Sequence, residues 1–385
     1  MDSNTKKILP ILFSFFVMGF CDVVGVATSY VKQDFGWTET MAGFVPSMVF
    51  IWFLLLSVPA ALAMNKTGRK NMVLISDIIT IVGMLIPLAG YNVYTCMTGF
   101  ILLGIGNTML QVSLNPLLTN VVSGKNLTSS LTAGQVVKAV SSFCGPMIAA
   151  FAATTLGNWK YLFPIFAAIT IISGSWLWAT KIDRETDTAV VSSFGSTIGL
   201  LRKSSILLLF LGIFCIVGID VGTNTVGPKL LIEREGHEVT AAGLASSVYF
   251  ICRTVGALIG TVLLAKVSGK KFMISCIIAA LASIAILFFA KGTALILVLI
   301  GLIGFFCSSV YPVIFSEALR NNPDKKNELS GLMTMGVCGG AVIPPLMGVM
   351  TDWIGNQTGS LIIIGICMLY ILFCGSKFKA ETANE

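Results

Sequence analysis

Long apolar segments separated by short polar loops make up most of the chain. Twelve segments reach the roughly 20 apolar residues that a helix needs to cross a hydrocarbon core about 30 Å thick. The pattern therefore predicts an all-α membrane protein with twelve transmembrane helices. The predicted spans are 8–31, 40–64, 71–90, 95–119, 129–153, 161–180, 205–231, 240–264, 271–290, 293–317, 329–352 and 359–378.

The longest polar stretch, residues 181–203, follows the sixth span and divides the spans into two groups of six. We predict an N-terminal six-helix bundle at 1–180, a cytoplasmic linker at 181–204 and a C-terminal six-helix bundle at 205–385.

The two predicted bundles resemble each other in sequence. TETMAGFVPSMVF (38–50) and EVTAAGLASSVYF (238–250) share Thr, Ala, Gly, Ser and Phe at a constant offset of 200. The following loops read TGRK (67–70) and SGKK (268–271). Repeated halves are typical of membrane transporters, and the alternative is chance similarity between Gly- and Ala-rich helices.

Composition supports a membrane protein and excludes most soluble classes. Hydrophobic residues make up 55% of the chain and charged residues 11%, against about 25% charged residues in soluble domains. The net charge of +7 comes from lysines and arginines in short loops, so nucleic-acid binding is not expected.

The distribution of basic residues predicts the orientation. With the N-terminus inside, 18 of the 25 Lys and Arg residues fall on the cytoplasmic side and 5 on the outer side. Cytoplasmic loops of membrane proteins carry an excess of Lys and Arg. We expect both termini to be cytoplasmic in the cell (inner) membrane, with the first helix kept as an uncleaved anchor.

Enzyme chemistry finds little support in the sequence. The ten cysteines all lie in apolar segments and are interpreted as small apolar residues in the helices. No Walker-type loop or catalytic motif is present, so we expect no cofactor, no metal and no direct use of ATP. The single histidine, His237, is predicted to be a solvated residue of an outer loop.

Four charged residues lie deep inside predicted spans: Asp22, Lys138, Asp220 and Arg253. A charge at the centre of a bilayer costs roughly 2.5–3.5 kcal/mol on insertion scales, so such residues face a protein interior or a water-filled cavity. We predict that Asp22 pairs with Lys138 and Asp220 with Arg253. Proton coupling, substrate contact and structural ion pairing are the alternative roles.

Other polar residues within the spans are candidates for substrate binding. Amides are good two-way hydrogen-bond partners for hydroxyl groups, and the alternative role for them is to hold helices together. Asp77, Glu317 and Asp352 lie near helix ends and are expected to reach water. The substrate-binding candidates are Asn107, Gln111, Asn115, Gln135, Asn224, Tyr249, Tyr311 and Phe315.

Several motifs resemble the major facilitator superfamily, and within it the family of fucose–proton symporters and glucose/galactose porters. The segments that carry the resemblance are KTGRK (66–70), GNTMLQVSLNPLLT (106–119), YFICRTVGALIGT (249–261), YPVIFSEALRN (311–321) and MTMGVCGGAVIPPLMGVMTDWIGN (333–356). The resemblance implies the major facilitator fold, a monomer, and import of a monosaccharide by alternating access together with protons.

The same resemblance exposes departures from the family pattern. In the family, a first-helix Asp and a fourth-helix Glu carry the coupling. Here Gln111 stands at the Glu position, and Asp22 lies one turn earlier than the family's acid. Lys138 stands where an amide is usual and favours a sugar acid. The alternatives are coupling through the buried charges, coupling to sodium instead of protons, and uniport.

Three other kinds of membrane protein compete with a sugar importer. A proton-driven exporter of hydrophobic compounds would have a more apolar cavity, and the amides at 107, 111, 115 and 135 count against it. A membrane-embedded enzyme would need a converging nucleophile and base or a metal set. A receptor or scaffold would need a soluble domain or a long tail.

Overall fold

The computed structural model describes residues 3–122, 125–184, 194–264, 266–322 and 325–378. Twelve helices in these ranges are long and apolar enough to cross a membrane, and no strand occurs in them. The helices, labelled α1 to α12, are Lys6–Phe35, Glu39–Thr67, Arg69–Ala89, Val93–Thr119, Ala133–Thr154, Trp159–Ala179, Ser204–Glu235, Val239–Leu264, Gly269–Leu287, Thr293–Asn321, Leu329–Ile354 and Thr358–Ser376. The predicted all-α membrane fold with twelve spans is confirmed.

Three of these helices change geometry well inside the span, whereas the changes in α3, α6 and α8 lie close to a helix end. In α1, residues Gly19–Val23 form a 3₁₀ turn between two α-helical stretches. In α11, Gly336–Cys338 do the same. In α10, the α-helix ends at Cys307 and restarts at Val310. Such interruptions are often functional hinges or sites of strain.

The chain divides into two compact units. The first comprises Met1–Val24 and Met48–Val191, and the second comprises Gly25–Ser47 and Ser192–Glu385. The predicted boundaries at 180 and 205 stay predictions. Of the predicted linker at 181–204, residues 185–193 lie outside the described residues, and a short helix follows at Phe194–Gly199.

Within the first unit, α3 packs against α4 and α6, and α1 packs against α5. Phe20 of α1 stacks on Phe166 of α6 with ring centroids 3.9 Å apart. Within the second unit, α7 packs against α11 and α12, and α8 packs against α10. Many exposed side chains in both units are large and apolar, as a lipid-facing surface requires.

The sequence offset of 200 is reproduced in three dimensions. Gly104 of α4 lies so close to α2 that an added Cβ would be 2.4 Å from the carbonyl oxygen of Val49. Gly304 of α10 approaches α8 in the same way, at 2.8 Å from the carbonyl oxygen of Tyr249. Small residues let membrane helices approach closely, and both units use one at the equivalent position.

The loops repeat the same offset. Gly36 and Gly236 end α1 and α7 with φ of 62° and 69°, a left-handed conformation that favours glycine. Lys70 donates to the carbonyls of Trp178 and Thr180 at the end of α6. Lys270 donates to those of Ser376 and Phe378 at the end of α12. The pseudo-symmetry predicted from sequence is therefore a property of the fold.

Candidate functional site

The 3₁₀ turn in α1 places Asp22 beside α5. Gly19, at the start of this turn, packs so closely on α5 that an added Cβ would lie 2.6 Å from the carbonyl oxygen of Lys138. The Asp22 carboxylate accepts a hydrogen bond from the hydroxyl of Ser142, one turn further along α5. Asp22 is thus held by α5 at a point where α1 is not a regular α-helix.

Lys138 lies on the same part of α5. Its carbonyl oxygen accepts a hydrogen bond from the Ser142 hydroxyl at 3.1 Å, and its side chain is half-buried. The pairing of the Lys138 ammonium with Asp22 stays a prediction.

The three amide residues of α4 that are substrate-binding candidates, Asn107, Gln111 and Asn115, differ in their exposure. The Asn107 side chain is 1% exposed, and its Nδ2 donates to the carbonyl of Met18 at 2.6 Å. This bond ties α4 to α1 at the start of the 3₁₀ turn. Gln111 is half-buried and Asn115 is exposed, as is Gln135 on α5. The accessible amides are those better placed to meet a substrate.

The second unit contains an acid held by two partners. Arg253 Nη2 of α8 lies 2.8 Å from Asp220 Oδ2 of α7. The Tyr249 hydroxyl, one turn earlier on α8, donates to Asp220 Oδ1. The predicted Asp220–Arg253 pair is therefore present, and the hydrogen bond from Tyr249 holds its carboxylate in place. Their part in transport stays a prediction.

Asn224, one turn beyond Asp220, is buried where α1 and α7 meet within the second unit. An added Cβ on Gly25 would lie 2.2 Å from Asn224 Oδ1. The Asn224 carbonyl accepts a hydrogen bond from Ser246 of α8. Asn224 therefore helps to position α1 against α7 in this structure. Its contact with substrate stays a prediction.

The aromatic pair on α10 lies just after the interruption of that helix. Tyr311 and Phe315 stack with ring centroids 5.9 Å apart and planes 24° apart, and both are half-buried. A partly accessible aromatic pair offers an apolar face with a hydroxyl at its edge, which is a common element of ligand sites.

The sequence did not reveal an ion-pair cluster at the predicted outer ends of the helices. Glu39 accepts from both Lys32 of α1 and Lys229 of α7. Asp352 of α11 accepts from the backbone amides of Glu39 and Thr40, at 3.0 and 2.8 Å. Glu39 at the start of α2 was the available signal, because an acid there favours the helix N-terminus, but its partners are distant in sequence.

Two sequence expectations about isolated polar residues are wrong. Asp77 and Glu317 do not reach water, since they are 1% and 5% exposed. Helix α3 turns Asp77 toward α6, where Gly174 leaves room for the carboxylate. His237 is half-buried and its Nε2 lies 2.7 Å from Thr293 Oγ1.

In the part of the chain that the structure describes, no group of three or more His, Cys, Asp or Glu side chains could hold a metal ion.

Comparison with known proteins identifies the architecture. The family model described as Major Facilitator Superfamily matches residues 11–242 and 223–383. A solved D-xylose-proton symporter superposes with a TM-score of 0.78 at 14% identity, covering 99% of this chain and 99% of the symporter.

Two sequence relatives carry names of sugar transporters. A glucose/galactose transporter of Brucella abortus is 26% identical over 384 residues, covering 94% of this chain and 91% of the relative. The L-fucose-proton symporter of Escherichia coli is 23% identical over 392 residues, covering 92% and 88%.

Proposed function

We propose that this chain, which belongs to the Major Facilitator Superfamily, imports a monosaccharide or a sugar acid by alternating access, coupled to protons. The relatives named as glucose/galactose transporter and L-fucose-proton symporter support a sugar as substrate. Import into the cell, with both termini cytoplasmic and the chain acting as a monomer, completes the proposal.

The observation that carries proton coupling is the hydrogen bond between the Ser142 hydroxyl and the Asp22 carboxylate, on the 3₁₀ turn of α1. The Ser142 hydroxyl that donates to Asp22 can also accept a hydrogen bond from a protonated carboxyl, since a hydroxyl is both donor and acceptor. This contact survives proton uptake. Protonation of Asp220 would instead remove the carboxylate that neutralises Arg253, and an uncompensated charge inside a membrane helix is costly.

We therefore assign the proton to Asp22 and assign Asp220, with Arg253 and Tyr249, to a fixed polar cluster in the second unit. Asp22 is the one of the two acids that lies on a 3₁₀ turn. A turn of this kind can change its hydrogen bonding more readily than a regular α-helix, so binding and release of a proton can be linked to movement of α1.

As sugar-binding groups we propose the accessible amides Gln111, Asn115 and Gln135 in the first unit and, taken separately, the stacked rings of Tyr311 and Phe315 in the second. Amide groups can donate to and accept from sugar hydroxyls, and an aromatic face covers the apolar side of a sugar ring. Asn107 is left to its structural bond with Met18.

Lys138 favours a sugar acid as the second candidate substrate. Its half-buried side chain lies on α5 near Asp22, and an ammonium group pairs with a carboxylate on a ligand as readily as with one on the protein. Uniport and proton-driven export of hydrophobic compounds are the competing functions.

Uptake into membrane vesicles tests the proposal. Radiolabelled D-glucose, D-galactose, L-fucose and D-galacturonate are offered with and without an imposed inward proton gradient, and vesicles lacking the protein give the background. We expect one of these compounds to accumulate only with the gradient. Uptake that equilibrates but never accumulates identifies a uniporter, and expulsion of a hydrophobic dye without sugar uptake overturns the proposal.

A further inference from the structure

A cavity of about 910 Å³ lies at the predicted outer ends of the helices, and its lining residues all belong to the second unit. Pockets that hold small molecules have volumes of roughly 300–1,000 Å³. None of the residues assigned above to proton or sugar lines it. The residues that decide its chemistry are Ser29, Gln33, Trp37, Glu39, Lys229 and Glu233.

The charges around this cavity do not favour an anionic ligand. Both lysines that line it, Lys32 and Lys229, are paired with Glu39. Glu233 accepts hydrogen bonds from the backbone amide of Gln357 at 2.8 and 3.1 Å, and Glu238 adds another carboxylate to the wall. The two lysines share one carboxylate and keep one formal positive charge, and Glu233 and Glu238 bring these five groups to a net charge of −1, which disfavours an anion.

Hydroxyl-binding groups remain available in the same walls. Ser29 is 4% exposed, and its Oγ has no hydrogen-bond partner among the described residues. A buried hydroxyl without a partner is uncommon and calls for a ligand or a water. Gln33 presents an exposed amide, and the half-buried indole of Trp37 supplies an aromatic face.

From these features we infer that the cavity is a second, outer binding site for a neutral monosaccharide. The Ser29 hydroxyl and the Gln33 amide bind the sugar hydroxyls, and Trp37 stacks on the ring. The Glu39 cluster fixes the wall by linking α1, α2 and α7. The choice of a sugar as ligand rests on the proposed function, whereas the preference for a neutral sugar over a sugar acid follows from the charges.

Protection from a membrane-impermeant maleimide tests the site in right-side-out vesicles. The cysteine is placed at Ile232, half-buried on α7, or at Glu238, exposed just before α8, as Ile232→Cys and Glu238→Cys, since neither side chain is proposed to bind the sugar. Lys291→Cys, exposed at the predicted outer side but not lining the cavity, is the matched control. The unaltered chain gives the background from its own cysteines, which lie within the spans.

With D-galactose as the probe, we expect labelling to slow several-fold at both cavity positions and to be unchanged at Lys291→Cys. Protection should be lost with Trp37→Ala, retained with Trp37→Phe, and absent with D-galacturonate. Protection should also persist in an Asp220→Asn background. Unchanged labelling at both cavity positions overturns the site. Protection by D-galacturonate alone overturns it too, as does loss of protection by D-galactose in the Asp220→Asn background.

Galactose uptake measured in the same vesicles separates the two proposals. Uptake without protection at the cavity positions removes the outer site and leaves transport standing. Protection without uptake of any sugar in the panel removes transport and leaves the outer site.

Discussion

Arg253 Nη2 lies 2.8 Å from Asp220 Oδ2, so a guanidinium and a carboxylate on neighbouring helices neutralise each other inside the second unit. The side chains of Arg253 and Asp220 are 36% and 25% exposed. The stability contribution of the pair should therefore lie between those of a surface and of a buried ion pair. Tyr249 completes the cluster from a fully buried position. The charges are therefore costly to remove singly.

We expect Asp220→Asn and Arg253→Gln each to lower stability by about 1–3 kcal/mol, because each leaves one charge without its partner. The double variant should recover most of that loss. Thermal unfolding of the purified protein in detergent, analysed as a double-mutant cycle, measures the coupling. Strictly additive losses would show that the pair contributes nothing.

Glu39 should matter more for stability than Lys32 does, although the two are ion-paired. Glu39→Gln leaves the buried ammonium of Lys229 without its ion-pair carboxylate, at a cost of about 2–4 kcal/mol. The more exposed Lys32 belongs to the class of pairs worth about 0–1 kcal/mol, so Lys32→Gln is the matched control. Equal losses of thermal stability in the two variants would contradict this assignment.

The two close helix contacts predict matched effects of glycine substitution. Gly104→Ala and Gly304→Ala place a Cβ against a backbone carbonyl, which no side-chain rotation can relieve, so each should cost about 1–3 kcal/mol. Gly365→Ala, where nothing lies within 4 Å of the added Cβ, should be neutral or stabilising because alanine favours a helix. Thermal stability of the three variants checks this, and a loss at Gly365→Ala alone would refute the packing argument.

Lys70 and Lys270 should protect the ends of α6 and α12. Each donates to two carbonyls of the last turn, a helix-end contact worth about 0.3–1 kcal/mol. We expect Lys70→Met to raise amide hydrogen exchange about two- to five-fold around 176–180, and Lys270→Met to do so around 374–378. Lys271→Met, which changes an exposed neighbour, should leave both segments unchanged.

The twelve helices could be predicted because each one is encoded locally. A run of about 20 apolar residues forces the backbone to satisfy its own hydrogen bonds, whatever surrounds it. The pairing of Asp220 with Arg253 was also predictable, since both are deep in neighbouring spans of one half and few other partners are available.

The contacts that depend on helix rotation and tertiary packing could not be predicted. Glu39 and Lys229 are 190 residues apart, and nothing in the sequence fixes the face of α7 that carries the lysine inward. Asp77 illustrates the same limit. Its predicted position near a helix end suggested that it reaches water, whereas the packing of α3 on α6 buries it. Ser142 carried no signal as a partner of Asp22, because serines are common in membrane helices.

The assignment of the proton to Asp22 is tested by proton movement in de-energised cells. Addition of the transported sugar should make a weakly buffered external medium more alkaline, and a protonophore should abolish the change. In Asp22→Asn the sugar should still exchange across the membrane, because the asparagine can keep a hydrogen bond to Ser142, but the alkalinisation should disappear. Alkalinisation of wild-type extent in Asp22→Asn would contradict the assignment.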